Sequence, residues 1–157
     1  MAPAQGTIDQ IQAAFQVVAG SITQVRGHER LLAVAGVRLD RAGCALLYKL
    51  HLYGDGLRVT DLAELLGVDA PTVTRKIQQL EREGLVARRA DPDDGRATRI
   101  MLTEAGRRTL QRVLDARREW YDRLVDGWDD AELATFATLL GKFATALERD
   151  LETTRVD

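Results

Sequence analysis

Near the middle of the chain the apolar residues change period, and that change limits the folds open to it. From Leu57 to Gly84 they fall three and four apart, as Leu62, Leu65 and Leu66 and then Val73, Ile77 and Leu80. This is the spacing of two short helices, each burying one side. After Gly84 the stretches Leu85-Val86-Ala87-Arg88-Arg89 and Thr98-Arg99-Ile100-Met101-Leu102 partly alternate, around a polar Asp91-Pro92-Asp93-Asp94-Gly95-Arg96. That is the pattern of a hairpin with a glycine-containing tip. Punctuation agrees. Thr60 is expected to cap the first helix and Gly67 to close it, while Asp69 caps a second running Ala70 to Glu83 and stopped by Gly84. Two helices across a tight turn, followed at once by a hairpin, make a winged helix-turn-helix.

The flanks are helical. Ile8, Ile11, Phe15, Val18, Ile22, Val25 and Leu32 step by threes and fours apart from one gap at Glu29, the seam of one long helix with Gly36 at or beyond its end. Asp40 is placed to cap a helix with Leu46, Leu47 and Leu50, halted by Gly54-Asp55-Gly56. Thr103 caps a long helix bearing Leu110, Val113, Leu114, Trp120 and Leu124. Asp129 or Asp130 opens a last one with Leu133, Phe136, Leu140, Phe143 and Leu147. The expected architecture is mainly α with a small β-hairpin wing and about six helices. The winged helix-turn-helix spans 57–103, a linking helix 104–127, and dimerisation helices 1–35 and 128–152.

Charge is distributed unevenly. Residues 57–112 hold 11 of the 22 basic residues but only 9 of the 24 acidic ones, giving +2 there and −4 over the remainder. A basic middle with acidic ends suits a chain whose middle meets phosphate. No apolar run is long enough to span a membrane. The N-terminal stretch lacks the cationic start and cleavage site of a signal peptide, and the single cysteine, Cys44, fits a reducing cytoplasm. Gly-rich phosphate loops, HExxH and GxSxG are all absent, so the sequence reads as no enzyme, calling for no cofactor and no metal.

With Val73, Ile77 and Leu80 buried, about 100° per residue places Pro71, Thr72, Arg75, Gln78, Gln79 and Arg82 on the opposite side of the second helix. Arginine bonds guanine and glutamine adenine in bidentate fashion, and threonine meets phosphate or a thymine methyl. Thr72, Arg75, Gln78 and Gln79 are therefore candidates for the major groove of duplex DNA. Arg96 on the hairpin tip is the candidate for an adjacent minor groove, whose width and potential an inserted arginine reads. Arg58, Lys76, Arg82, Arg88 and Arg99 are candidate phosphate contacts. One such module covers few base pairs, so a two-fold homodimer on a pseudo-palindromic site is expected. A winged-helix protein-interaction module that does not read DNA is the alternative. Such modules usually lose the wing arginine and the polar reading face, and this chain keeps both.

The stretches Val59-Thr60-Asp61-Leu62-Ala63-Glu64-Leu65-Leu66-Gly67-Val68 and Thr72-Val73-Thr74-Arg75 resemble the helix-turn-helix of the multiple-antibiotic-resistance regulator (MarR) family. So does the run Leu80-Glu81-Arg82-Glu83-Gly84-Leu85-Val86 from helix into wing. Asp94-Gly95-Arg96 followed by Leu102-Thr103-Glu104-Ala105-Gly106 is similar to the family's wing signature. The resemblance implies that Asp94 braces Arg96, that Arg96 is the minor-groove finger, and that terminal helices interlace in a homodimer. It also implies a transcription regulator, a repressor more than an activator, released when a small aromatic or anionic effector enters a cleft. Cys44, Tyr48 and His51 share one side of a helix, with His28 ahead of them, and are candidates for such a pocket. Ordinary packing accounts for the same residues, and their spacing matches no metal site.

Overall fold

The computed structural model describes residues 5–154, apart from 24, 55, 92–93 and 95–96. The chain divides into two compact units, 1–117 and 118–157. The elements of the first are helices α1 (Gln5–Thr23), α2 (Val25–Val34), α3 (Arg41–Leu52), α4 (Val59–Leu66) and α5 (Ala70–Arg82), then strands β1 (Val86–Ala90) and β2 (Thr98–Leu102). Helix α6 (Glu104–Leu124) crosses the division, and α7 (Asp130–Thr154) lies in the second unit.

Along the N-terminal seam α1 and α2 lie on either side of residue 24, which is outside the described residues. The side chains along the seam do different work. Leu32 is buried with Val37, Cys44 and Val113, whereas Ile8, Ile11 and Val18 are exposed; the side chains of Ile22 and Val25 lie outside the described residues.

The main core joins α3, α4, α5, the hairpin and α6. Leu46, Leu47, Leu62, Ile77, Leu80 and Ile100 have no exposed surface, and Leu50, Val73, Val86, Leu102 and Leu110 complete the cluster. Burying each such side chain contributes about 1.5–3 kcal/mol.

Local chemistry sets the element ends. Asp40 caps α3 by accepting from the Gly43 N–H at 2.8 Å. Asp69 caps α5, accepting from the Thr72 N–H at 2.7 Å and the Thr72 hydroxyl at 2.9 Å. Helix α4, in contrast, starts one residue before Thr60, which lies inside it. The extended residue ahead of α4 is Arg58, whose N–H donates to Asp61 at 3.2 Å. The Arg58 side chain is held by Asp91 at the base of the hairpin. At the other end, Gly67 adopts φ 65° while its N–H and that of Val68 return to Glu64 and Ala63. A side chain there would be strained, so glycine makes the turn between α4 and α5 this short.

β1 and β2 pair antiparallel from Val86 opposite Leu102 to Ala90 opposite Thr98. Leu57 adds a short third line by exchanging both backbone hydrogen bonds with Ile100, at 3.1 and 2.8 Å. In the second unit α7 opens on a reciprocal cap, Asp129 and Glu132 each accepting from the other's N–H at 2.8 and 3.0 Å. Trp128 there meets Phe136 edge-on, 5.4 Å between ring centres.

Candidate nucleic-acid interface

Helix α5 buries Val73, Ile77 and Leu80 and turns Pro71, Thr72, Arg75, Gln78 and Arg82 to solvent, as the periodicity predicts. The Thr72 hydroxyl donates to its own cap, Asp69, whose carboxyl is held below the usual range by the Thr72 N–H first and this hydroxyl second. Arg75 and Arg82 rest their Nε atoms on the carbonyls one turn back, Pro71 and Gln78, at 3.4 and 3.2 Å. Gln79 and Lys76 are half-buried and engaged. Lys76 Nζ donates to Asp40 at 2.5 Å and to Gln79 Oε1 at 2.8 Å, and Gln79 Nε2 donates to Glu83 at 2.9 Å.

The base of the wing is built on Asp91, whose side chain has no exposed surface. Its Oδ2 accepts from Arg58 Nε at 2.8 Å and Nη2 at 2.7 Å, and lies 3.1 Å from Arg99 Nε. The hydrogen bond to Asp91 in turn raises the Arg58 guanidinium further above its already high pKa. Asp91 N–H donates to the Ala97 carbonyl at 3.0 Å, and Ala97 N–H to the Asp94 carbonyl at 2.8 Å. Asp94 is exposed, with its carboxylate 4.0 Å from Arg58. Arg96, expected as the minor-groove finger, lies outside the described residues, and so does any bond between it and Asp94.

Four of the five expected phosphate contacts therefore already hold a carboxylate: Arg58 and Arg99 share Asp91, Lys76 holds Asp40, and Arg88 lies 3.3 Å from Glu81. Sequence reasoning missed Asp91 because a carboxylate beside a turn proline reads as a turn residue. The two cations within reach of it come from positions remote or offset in sequence.

The joint between α5 and α6 explains the second half of the wing signature. Thr103 Oγ1 donates to the Gly84 carbonyl at 2.6 Å and accepts from the Gly106 N–H at 3.0 Å, while Thr103 N–H donates to the Leu85 carbonyl at 3.1 Å. A Cβ on Gly106 would stand 2.0 Å from the Leu85 oxygen. Only glycine lets α6 come this close to the end of the reading helix.

The expected effector residues are dispersed. Cys44 is in the core, and burial pushes its thiol up to about 11, away from a reactive thiolate. His51 is exposed. His28 and Tyr48 instead flank two arginines. Burial first, then the charges of Arg41 and Arg117, lower the His28 pKa from 6.5, and its Nε2 is buried without a hydrogen-bond partner among the described residues. The Arg117 guanidinium lies 5.9 Å from the Tyr48 ring centre. Surface hollows lie elsewhere, along α6 at Ala105, Arg108 and Arg112, and along α1 at Asp9, Gln12 and Gln16. The described residues contain no cluster of three metal-binding side chains and no helix long and apolar enough to cross a membrane.

Two short helices across a glycine turn, backed by a hairpin, define a winged helix-turn-helix regulator. Residues 41–98 match the model of the MarR family. The HTH-type transcriptional regulator YxaD of Bacillus subtilis, itself uncharacterized, is 32% identical over 108 residues, covering 69% of this chain and 75% of that one. YsmB of the same organism is 29% identical over 142 residues, 90% of this chain and 94% of its own. A MarR family protein from Bacillus stearothermophilus has the same fold at TM-score 0.80 and 25% identity, covering 94% of this chain and 99% of that structure. A mutant of S. aureus MepR bound to an oligodeoxyribonucleotide shares the fold at TM-score 0.61 and 23% identity, over 87% and 97% of the two chains. The chain belongs to the MarR family of transcription regulators.

Proposed function

We propose that the chain regulates transcription as a homodimer on a pseudo-palindromic duplex site in the cytoplasm, repressing until a small anionic effector binds. The observation that carries the DNA reading is the exposed row Arg75, Gln78 and Arg82 on a helix capped at Asp69 and followed directly by an arginine-bearing hairpin. The N-terminus of such a helix attracts phosphate, and the row offers donors and acceptors to base edges. Arg96, two residues after Asp94 in the sequence, is the residue for the minor groove. Arg82 and the outer edge of Arg58 meet phosphate most readily, since the carboxylates on Lys76, Arg88 and Arg99 compete for those cations. That S. aureus MepR, a mutant of which is bound to an oligodeoxyribonucleotide, shares this fold supports DNA as the partner.

Dimerisation is supported by exposed apolar residues at helical spacing, Ile8, Ile11 and Val18 on α1 and Leu140, Leu147 and Leu151 on α7. The effector site is the His28, Arg41, Arg117 and Tyr48 cluster. A buried imidazole nitrogen without a partner beside two guanidinium groups favours a carboxylate, and Tyr48 offers an aromatic surface.

Selection of bound duplexes from random DNA, followed by a salt titration of the best one, tests this reading. The expected result is a pseudo-palindrome with half-sites about one turn, roughly 34 Å, apart and a log–log salt slope of about −0.9 per phosphate contacted. A folded dimer that enriches no duplex and shows no salt-dependent binding would overturn it in favour of a protein-interaction module.

A further inference from the structure

We infer that the two adjacent glutamines of α5 have separate duties, Gln78 reading a base and Gln79 fixing the helix in place; the inference rests on the DNA-reading proposal above. The surface of α5 carries two parallel rows with the same three-then-four spacing. One is Arg75, Gln78 and Arg82; the other is Lys76, Gln79 and Glu83, displaced by about 100° around the axis. Every member of the first row is exposed, and no hydrogen bond engages the Gln78 carboxamide among the described residues.

The second row is a closed chain. Asp40, capping α3 through the Gly43 N–H, accepts from Lys76 at 2.5 Å; Lys76 donates to Gln79 Oε1 at 2.8 Å; Gln79 Nε2 donates to Glu83 at 2.9 Å. Recognition of adenine by glutamine uses both ends of the carboxamide, Oε1 as acceptor and Nε2 as donor. In Gln79 both ends are already occupied, and releasing them would leave Lys76 and Glu83 to find new partners. In Gln78 both are available. Lys76 and Gln79 are also half-buried, on the side of α5 nearest the start of α3, whereas Gln78 stands on the open side between two arginines. The Lys76 row thus ties the reading helix to α3, and the Arg75 row presents its chemistry to the groove.

Duplex selection with the full chain and its Gln78→Ala and Gln79→Ala variants tests the division. Gln78→Ala should flatten base preference at one position of each half-site and weaken the best duplex about tenfold. Gln79→Ala should return the same ranked sequences while lowering the urea midpoint of the free protein, since it breaks the Lys76–Gln79–Glu83 chain. A preference flattened by Gln79→Ala, or left intact by Gln78→Ala while the unaltered chain still selects a site, overturns the assignment alone. An unaltered chain that enriches no duplex removes the DNA reading, and this inference with it.

Discussion

A carboxylate with no surface exposed to water must be paired or give up its charge, and Asp91 is paired. Two arginines converge on its Oδ2, Arg58 from the start of α4 and Arg99 from β2, tying the helix-turn-helix to the hairpin through one side chain. Asp91→Ala would leave both cations without that partner. A fully buried pair broken on one side costs about 3–5 kcal/mol. Because Arg58 still reaches water, the loss expected is nearer about 2 kcal/mol, read as a lower urea midpoint at unchanged slope. An unmoved midpoint would mean that the two arginines re-solvate at no cost. His28 makes a second residue-scale prediction. Burial, Arg41 and Arg117 lower its pKa below 6.5, so between that folded value and 6.5 the unfolded chain binds the proton more readily. Stability should fall as pH drops below about 6.5 and level off once the folded pKa is passed. His28→Gln should remove that component of the pH dependence, leaving the carboxylate transitions at lower pH in place. Such partnerships were not legible in the sequence. Nothing in the sequence shows that Arg58 and Arg99 converge on Asp91, because its burial is a property of the folded chain.

At the scale of elements, what could be read in the sequence was whatever short-range chemistry controls. Helix α5 runs from its Asp69 cap to Gly84 because a carboxylate, a buried three–four stripe and a glycine act within a few residues of each other. The hairpin is legible in the same way from two short apolar stretches around a polar, glycine-containing tip, though its register is not. One further feature escaped. The Leu57 bridge to Ile100 depends on a strand more than forty residues away, and a single residue has no period to betray it. The Thr103–Gly106 joint lies between these cases: its glycine is visible in the sequence, its reason only in three dimensions. Gly106→Ala would drive a methyl group against the Leu85 carbonyl, where the unrelaxed distance is 2.0 Å. Rigid backbone lies on both sides, so α6 must move away from the end of α5, at a cost of about 1–3 kcal/mol. The variant should melt at lower temperature and bind its selected duplex less tightly, because the reading helix and wing share that joint. A variant with the original melting temperature and affinity would show that the joint yields freely.

At the scale of the whole molecule, the exposed apolar residues on α1 and α7 ask for a partner surface. Leu140 is 51% exposed and Leu151 56%, on a helix that also exposes Leu139 and Leu147. Runs of this kind mark interaction sites more often than idle surface. In the proposed homodimer a second copy covers them, since two-fold symmetry would place two reading helices on one side of the duplex. Leu140→Glu would put a charge into that surface and leave every residue of α5 and the wing unchanged. The expected outcome is a shift toward monomer in sedimentation at a concentration where the unaltered chain is dimeric. Affinity for the full pseudo-palindrome should fall with it, and the salt slope should shrink toward half, since one module neutralises about half the phosphates. Binding to an isolated half-site should stay as it was. That combination separates loss of assembly from loss of reading, which Gln78→Ala would produce in an intact dimer. If Leu140→Glu remained dimeric and kept its slope, the α7 surface would be no part of the interface, and α1 would have to hold the two copies together.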